Sequence, residues 1–173
     1  MFIDIGEIRK SPGHNFHFDL KEDIQTITVD REEVGFQKPV EIFLDIKNTS
    51  KVLVFTGRIT ADTKLVCNRC LESYHYRLNT SFIEKFYHTS DVAEISDEGM
   101  DIGDMRVFEG NRINVLDIIV ENIILAIPMK LICQEECKGL CNVCGTNLNN
   151  TKCVCESENI DPRLGILKKY FEQ

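Results

Sequence analysis

The stretch ITADTKLVCNRC, residues 59–70, combines the two features that decide the fold. In its first half, every second residue from Ile59 to Leu65 can face a core, and the residues between them are polar or charged. An alternation with a period of two predicts a β-strand with one buried face. In its second half, Cys67 and Cys70 form a C-x-x-C pair, a spacing that lets two thiolates bind one metal ion. The sequence therefore predicts a strand that leads directly into a metal-binding turn.

The segments on both sides of this stretch continue the strand pattern. Upstream, Ile42, Leu44 and Ile46 alternate with residues that are mostly charged. Downstream, residues 82–87 mix aromatic, aliphatic and charged side chains, a weaker pattern that favours a strand with two apolar faces. Together, residues 24–90 predict an antiparallel sheet, which is the simplest arrangement of such strands.

A central helix is predicted after the sheet. A short strand is expected around residues 105–108, and the apolar run from Val115 to Ile127 then favours a buried helix. Asn114 can cap this helix, and Asp117 follows three residues later, as in a capping box. Pro128 is expected to end it.

The C-terminal region predicts a second helix and a smaller second domain. Asp161 is a capping residue followed by Pro162, which suits the first helical position, and the helix is expected to reach about Phe171. We therefore predict an α+β fold: an antiparallel β-sheet packed with one central and one C-terminal helix, plus a Cys-rich zinc knuckle. Residues 1–130 form the core domain, and residues 131–173 form the knuckle and C-terminal helix, packed on the same core.

Composition restricts the compartment and the partners. The chain of 173 residues begins without a basic segment followed by an apolar run, so it is expected to be cytoplasmic and to have no membrane partner. Thiols stay reduced in that compartment, where clustered cysteines more often bind metal than form disulfides. The net charge of −8 argues against tight sequence-independent binding to nucleic acid, so RNA binding would need a local basic patch.

The eight cysteines are the strongest functional signal. Four thiolates suit the tetrahedral preference of zinc, and Gly145 permits the tight turn after Cys144. The spacing favours two four-cysteine sites, although one site with spare thiols remains open, because the C-x-C pair at residues 153–155 is an unusually tight chelate. The first set would be Cys67, Cys70, Cys133 and Cys137, and the second Cys141, Cys144, Cys153 and Cys155.

Other interpretations of the cysteines stay open. An iron–sulfur cluster uses the same ligands, and reduced thiols without metal are the simplest alternative. A redox pair is disfavoured at Cys67 and Cys70, because these residues lie between two strand patterns and not at the start of a helix. Closed four-cysteine sites have no open coordination position, so one or two structural zinc ions are expected. The scattered histidines form no nucleophile or metalloprotease motif, and no catalytic residue or small-molecule substrate is expected.

Six short segments of the chain form a recognisable combination: Cys67–Glu72, Ile127–Pro128, Cys137–Cys141, Cys144–Gly145, Leu148–Asn149 and Asp161–Arg163. Together, and in this order, they resemble the YceD family. The resemblance implies a role in the accumulation of large-subunit (23S) ribosomal RNA, as in bacteria and chloroplasts, without supplying a mechanism.

Three functions follow from these observations. The first is a non-enzymatic ribosome-biogenesis factor that binds a large-subunit rRNA precursor, a ribosomal protein or a processing protein. Arg69, Lys138 and Arg163 are its candidate RNA- or partner-binding residues, although a salt bridge or helix-end hydrogen bond is the simpler role for Arg163. The second is a zinc-ribbon interaction protein or transcription regulator unrelated to rRNA. The third, a metal-dependent hydrolase or redox enzyme, lacks a recognisable base.

Overall fold

The chain folds into two units, which the computed structural model describes over residues 1–29, 32–92, 95 and 103–155. Unit 1 comprises Met1–Leu65 and Ser73–Lys130, and unit 2 comprises Val66–Glu72 and Leu131–Gln173. The expected packing of residues 131–173 on the same core as residues 1–130 stays a prediction.

Unit 1 is built on a large sheet. Its long strand β6 pairs antiparallel with β5 through Leu53–Thr60 and with β4 through Thr63 and Lys64, and it also pairs with β7. The nine described strands are β1 (Phe2–Asp4), β2 (Asn15–Glu22), β3 (Thr26–Val29), β4 (Glu32–Phe36), β5 (Val40–Asn48), β6 (Val52–Val66), β7 (Ser73–His88), β8 (Arg106–Phe108) and β9 (Arg112–Asn114).

The predicted antiparallel sheet is confirmed, with one exception. The strands β2, β5, β6, β4 and β3 follow one another in that order, and the registers of β2–β5, β5–β6, β6–β4 and β4–β3 are antiparallel. The strand expected around residues 105–108 is present as β8, but it pairs parallel with β7. A parallel pair needs a long crossover between its strands, and local strand patterns do not reveal such a pairing.

The strand periodicity correctly identified the buried face of the sheet. Ile42, Leu44, Ile46 and Ile59 are all buried, as the alternation predicted. The interpretation of β7 as apolar on both faces is wrong, because Ile83 is 67% exposed. The buried aromatic residues of β7, Phe82 and Phe86, lie on one face of the strand, and Tyr87 lies on the other.

Close packing between β6 and β7 requires a glycine. A Cβ atom added to Gly57 would lie 2.2 Å from the ring of Phe82. Since real side chains do not approach so closely, the ring of Phe82 fills the space that any larger residue at position 57 would need.

The central helix α2 spans Leu116–Ala126. Val115 stands at the N-cap position and makes no side-chain capping bond, but Asn114, one residue earlier, accepts a hydrogen bond from the Leu116 amide through its Oδ1 at 3.1 Å. Asp117 departs from the capping box, since it accepts from the side-chain amide of Asn114 at 2.8 Å. The helix ends before Pro128, as expected, and Ile127 is already extended.

The first forty residues, whose topology the sequence leaves open, contribute β1, a short helix α1 (Gly6–Arg9), β2, β3 and β4. β1 pairs with β9 in a separate two-stranded sheet. The buried Asn48 at the end of β5 donates hydrogen bonds to the carbonyls of Ile8 and Arg9 at 2.7 and 3.1 Å, so this polar side chain is satisfied. A short 3₁₀ turn at Thr89–Asp91 follows β7.

The predicted C-terminal helix from Asp161 to Phe171 lies outside the described residues. Within the described part of the chain, no helix is both long and apolar enough to cross a membrane.

Candidate metal centre

The first C-x-x-C pair lies in a tight turn of unit 2. The Leu71 amide donates to the Cys67 carbonyl at 2.8 Å, and the Arg69 amide donates to Cys67 Sγ at 3.4 Å. Leu71 closes this turn with a φ of 58°, a left-handed conformation that is rare for a residue with a side chain. The turn directs Cys67 and Cys70 to the same side.

The second C-x-x-C pair repeats this geometry. The Gly145 amide donates to the Cys141 carbonyl at 2.9 Å, and the Val143 amide donates to Cys141 Sγ at 3.4 Å. Gly145 has a φ of 72°, which confirms that the glycine after Cys144 permits the tight turn. Both turns therefore direct backbone N–H groups at sulfur, as expected where thiolate charge accumulates.

Hydrogen bonds bring the segment after Leu131 to the first turn. The Asn68 amide donates to the Leu131 carbonyl at 2.8 Å. The Arg69 guanidinium donates to the carbonyls of Glu135 and Cys137 at 3.2 and 3.1 Å. These contacts place Cys133 and Cys137 beside the first C-x-x-C pair.

The structure brings the eight cysteines together in the two sets favoured by the spacing. Cluster 1 contains Cys67, Cys70, Cys133 and Cys137, and cluster 2 contains Cys141, Cys144, Cys153 and Cys155. All eight are free thiols.

The distances within each cluster fit one metal ion. The four sulfurs of a cluster lie within 4.8 Å of one another. In cluster 1, Cys67 and Cys137 are 3.9 Å apart and Cys70 and Cys133 are 3.8 Å apart, measured between Sγ atoms. Four sulfurs around a tetrahedral zinc ion, with Zn–S bonds near 2.3 Å, are separated by about 3.8 Å. Two clusters of this chain can therefore hold metal ions.

The C-x-C pair, which was the least certain part of the second set, contributes both its sulfurs to cluster 2. Cys153 Sγ lies 3.4 Å from Cys144 Sγ and 3.5 Å from Cys141 Sγ. The Cys155 amide donates to Cys153 Sγ at 3.3 Å, which orients the pair.

Asn149 supports cluster 1 and was missed as a site residue by the sequence analysis. Its Nδ2 donates to Cys137 Sγ at 3.3 Å, while its Oδ1 accepts from the Lys138 amide at 2.8 Å. The only signal in the sequence was its place in the Leu148–Asn149 segment of the family resemblance. Such outer-shell amides hold a metal-binding sulfur in position and stabilise its charge.

Gly139 allows the chain to pass close to the first turn. It has a φ of 72°, and an added Cβ would lie 3.0 Å from the Arg69 carbonyl oxygen. Both the backbone conformation and the available space therefore favour glycine at this position.

The thiols of cluster 1 differ strongly in pKa. Burial raises the pKa of the Cys67 thiol, but backbone N–H groups of Cys70, Cys133 and Arg69 outweigh it and lower that pKa to about 6. The hydrogen bond from Asn149 lowers the pKa of Cys137. Burial, together with the neighbouring thiols, raises the pKa of Cys133 to about 12. A cation at the centre would favour the thiolate form of all four.

Cluster 2 shows the same division. Hydrogen bonding with the Thr146 side chain, whose hydroxyl lies 3.1 Å from Cys144 Sγ, lowers the pKa of Cys144 to about 6. Hydrogen bonds with Cys153 and Cys144 raise the pKa of Cys155 to about 12. One thiol of the cluster therefore ionises readily, and its negative charge makes the next ionisation harder.

The two clusters differ in exposure to solvent. Cys67, Cys70 and Cys137 of cluster 1 are buried, whereas Cys144 and Cys155 of cluster 2 are exposed. Solvent and competing ligands therefore have more direct access to cluster 2.

The structure describes two of the three candidate binding residues. Arg69 is exposed, but its guanidinium is engaged by the two carbonyl groups of unit 2. Lys138 is exposed, and its backbone amide is held by Asn149. Arg163 lies outside the described residues. Binding of RNA or a partner by these side chains stays a prediction.

Comparison with known families identifies the chain. Residues 55–170, more than half of the sequence and including every cysteine, match the family described as Large ribosomal RNA subunit accumulation protein YceD. The chain belongs to the YceD family. This confirms the resemblance inferred from the cysteine turns and the motifs around them.

Relatives of this YceD-family chain include bacterial and plant proteins. It is 27% identical over 174 residues to the uncharacterized protein YlbN of Bacillus subtilis (strain 168), a match that covers 98% of this chain and 95% of the relative. Two plant relatives are named Large ribosomal RNA subunit accumulation protein YCED homolog 1, chloroplastic.

The plant relatives are considerably longer than the matched region. The Arabidopsis thaliana protein is 28% identical over 170 residues, covering 85% of this chain and 53% of the relative. The Zea mays protein is 35% identical over 169 residues, covering 82% of this chain and 58% of the relative. This YceD-family chain thus spans little more than half of each plant protein. No solved structure matches it.

Proposed function

We propose that this protein is a non-enzymatic ribosome-biogenesis factor that supports 23S rRNA accumulation and maturation of the large ribosomal subunit. The observation that carries the proposal is the match of residues 55–170 to a family described by large ribosomal RNA subunit accumulation. The names of the two chloroplast relatives support the same role. The protein would act by binding an rRNA precursor, a ribosomal protein or a processing protein.

Structural zinc in both cysteine clusters is the second part of the proposal. Each cluster supplies four sulfurs at distances that suit tetrahedral coordination. Four protein ligands leave no position for water or substrate, so such a metal would stabilise structure and take no part in a reaction. Iron–sulfur chemistry uses the same ligands, and elemental analysis with absorption spectroscopy distinguishes the two.

The metal sites would act on function through the shape of unit 2. Cluster 1 joins the turn at Cys67 and Cys70 to the segment at Cys133 and Cys137, which is more than sixty residues away along the chain. Metal binding supplies folding free energy to segments that have little regular secondary structure of their own. A rigid surface for a binding partner would result.

Depletion of the protein in growing cells tests this function. We expect 23S rRNA to fall relative to 16S rRNA, and we expect the tagged protein to crosslink to large-subunit precursors or to proteins bound to them. Unchanged 23S rRNA after complete depletion would contradict the role. Co-purification of RNA polymerase without ribosomal components would instead favour the alternative, a zinc-ribbon transcription regulator.

A further inference from the structure

Basic side chains gather on the solvent-facing side of β5, β6 and β7 in unit 1, a surface that we call the outer sheet face. The buried residues of these strands point to the opposite side. Five cations of the outer sheet face are exposed: Lys47, Arg58, Lys64, Arg77 and Lys85.

The acidic residues on these strands are already paired. Glu41 of β5 contacts Lys21 at 2.8 Å, and Asp62 of β6 contacts Lys38 at 2.9 Å. Asp45 of β5 contacts His17. Each of these bonds comes from a basic residue outside the five cations, although the charge of Arg77 also acts on Glu41 and Asp62.

Three of the cations have no protein partner in the part of the chain that the structure describes. The side chains of Arg58, Lys64 and Lys85 form neither a hydrogen bond nor an ion pair there, although a surface ion pair is common for such side chains. In a chain with a net charge of −8, the five cations outnumber the three acidic residues on the exposed side of these strands, Glu41, Asp45 and Asp62. A concentrated basic surface attracts polyanions and gives up counterions on binding them.

An exposed aromatic ring lies on the outer sheet face beside both basic and acidic residues, since Asp19 of β2 lies opposite it and Glu41 and Asp45 lie two residues away on β5. Phe43 of β5 is 50% exposed and directly opposite Arg58 of β6 in the antiparallel register. An aromatic face beside a guanidinium plane is an arrangement that stacks unpaired bases in RNA-binding sheets. The neighbouring Thr60 and Asn79, joined by a hydrogen bond of 2.9 Å, add polar groups that can bind bases or ribose hydroxyls.

The chemistry of the surface favours a nucleic acid over a protein. Protein interfaces bury an apolar centre and are depleted in lysine, whereas the exposed large hydrophobic residues described in these three strands are Phe43, Ile83 and, at the end of β6, Val66. Arg77 and Lys85 lie eight residues apart on β7, a distance of roughly 26 Å along an extended strand. This length suits a backbone with several successive phosphates.

We propose that a single-stranded segment of RNA lies across the outer sheet face, with its phosphates at the five cations and a base stacked against Phe43 and Arg58. This proposal rests on the proposed function, which gives the protein a large-subunit rRNA as its target. It adds the surface that makes the contact. Double-stranded RNA and acidic protein segments are the competing ligands in the test.

The test uses the full chain and a fluorescein-labelled twelve-nucleotide oligouridylate, with anisotropy measured at 50 to 200 mM KCl. The double variant Arg58→Ala, Lys85→Ala is expected to bind about tenfold more weakly, because two phosphate contacts are removed. For the same reason its salt slope, the steepness with which the logarithm of the binding constant falls with the logarithm of the KCl concentration, should be smaller by roughly 1.4. The control Arg112→Ala, Lys130→Ala removes the same charge from exposed positions outside the outer sheet face, and its affinity should change less than about twofold.

A second variant tests stacking separately from charge. Phe43→Ala should weaken binding about tenfold while leaving the salt slope unchanged, because base stacking contributes roughly 1–3 kcal/mol and releases no counterions. Circular dichroism would verify that each variant stays folded. Tighter binding of duplex RNA or of polyglutamate than of the oligouridylate would overturn the proposal, as would equal losses in the two double variants.

The outcome separates this proposal from the proposed function. If depletion lowers 23S rRNA but the variant Arg58→Ala, Lys85→Ala binds RNA as well as the wild type does, the outer sheet face is not the RNA-binding site and the proposed function stands. If the variant loses RNA binding but depletion leaves 23S rRNA unchanged, the surface is correct and the function is wrong.

Discussion

Leu71 and Gly145 occupy equivalent positions in two turns of the same geometry. Each residue follows the second cysteine of a C-x-x-C pair and donates its amide hydrogen to the carbonyl of the first, at 2.8 and 2.9 Å respectively. Their φ angles are 58° and 72°. One turn therefore uses the residue best suited to a left-handed conformation, and the other uses a branched side chain that is 65% exposed.

This relationship predicts that Leu71→Gly stabilises the protein. A left-handed conformation costs a residue with a Cβ about 1–2 kcal/mol, whereas glycine loses more freedom on folding, so we expect a gain of about 0.5–1 kcal/mol. Gly145→Leu, the matched exchange in cluster 2, should lower stability by about 1–2 kcal/mol. Urea unfolding of the metal-loaded proteins measures both, and a loss of stability in Leu71→Gly would show that the side chain makes a compensating contact.

Metal content should reflect two independent clusters. We expect two zinc ions per folded chain when the protein is purified under reducing conditions without added metal, because both sets of sulfurs suit tetrahedral zinc. The variants Cys67→Ser and Cys141→Ser should each retain one zinc ion per chain. Elemental analysis together with the protein concentration gives this ratio. Fully reduced, folded wild-type protein without metal, and with unchanged stability in chelator, would contradict this prediction.

Cluster 2 should lose its metal before cluster 1. Chelators gain access through exposed Cys144 and Cys155, whereas three of the four sulfurs in cluster 1 are buried. Release to a chromogenic chelator is expected in two phases, of which Cys141→Ser removes the fast one and Cys67→Ser the slow one. Two phases that both persist in either variant would show that accessibility does not control release.

Asn149 should be necessary for tight metal binding in cluster 1. Asn149→Asp keeps the oxygen that accepts from Lys138 but replaces the Nδ2 donor to Cys137 with negative charge. Loss of such an outer-shell contact typically lowers metal affinity about 10- to 100-fold. Competition titration with a zinc chelator gives the affinity directly.

Asn68→Asp is the matched control for Asn149→Asp. Asn68 is exposed next to Cys67, and in the described part of the chain only its backbone amide forms a hydrogen bond. The variant adds the same charge near the same cluster without removing a donor to sulfur. Similar losses in the two variants would indicate a general charge effect and not a specific role of Asn149.

Much of the sheet and of the candidate site could be predicted from local patterns. The buried faces of β5 and β6 follow from a period of two, and the turn at Gly145 follows from the spacing of its cysteines. These signals work because neighbouring residues in a strand or turn have a fixed geometry. The exposure of Ile83 was not predicted, because an aromatic-rich strand does not show which face meets solvent.

Other features depend on residues that are distant in the sequence. The parallel pairing of β8 with β7 and the bond from Asn149 to Cys137 each require a particular path of the chain, which no local pattern encodes. An asparagine near cysteines is common, so its residue type alone could not identify it as a donor to sulfur.

The sequence by itself determined which residues form strand faces and which cysteines form tight turns, because period and spacing are properties of a few adjacent residues. Only the tertiary structure decided that Cys70 meets Cys133 at 3.8 Å and that Phe43 lies opposite Arg58. Strand register and loop path set these distances, and both depend on the free energy of the whole packed chain. In this way an acidic sequence acquires a local basic face.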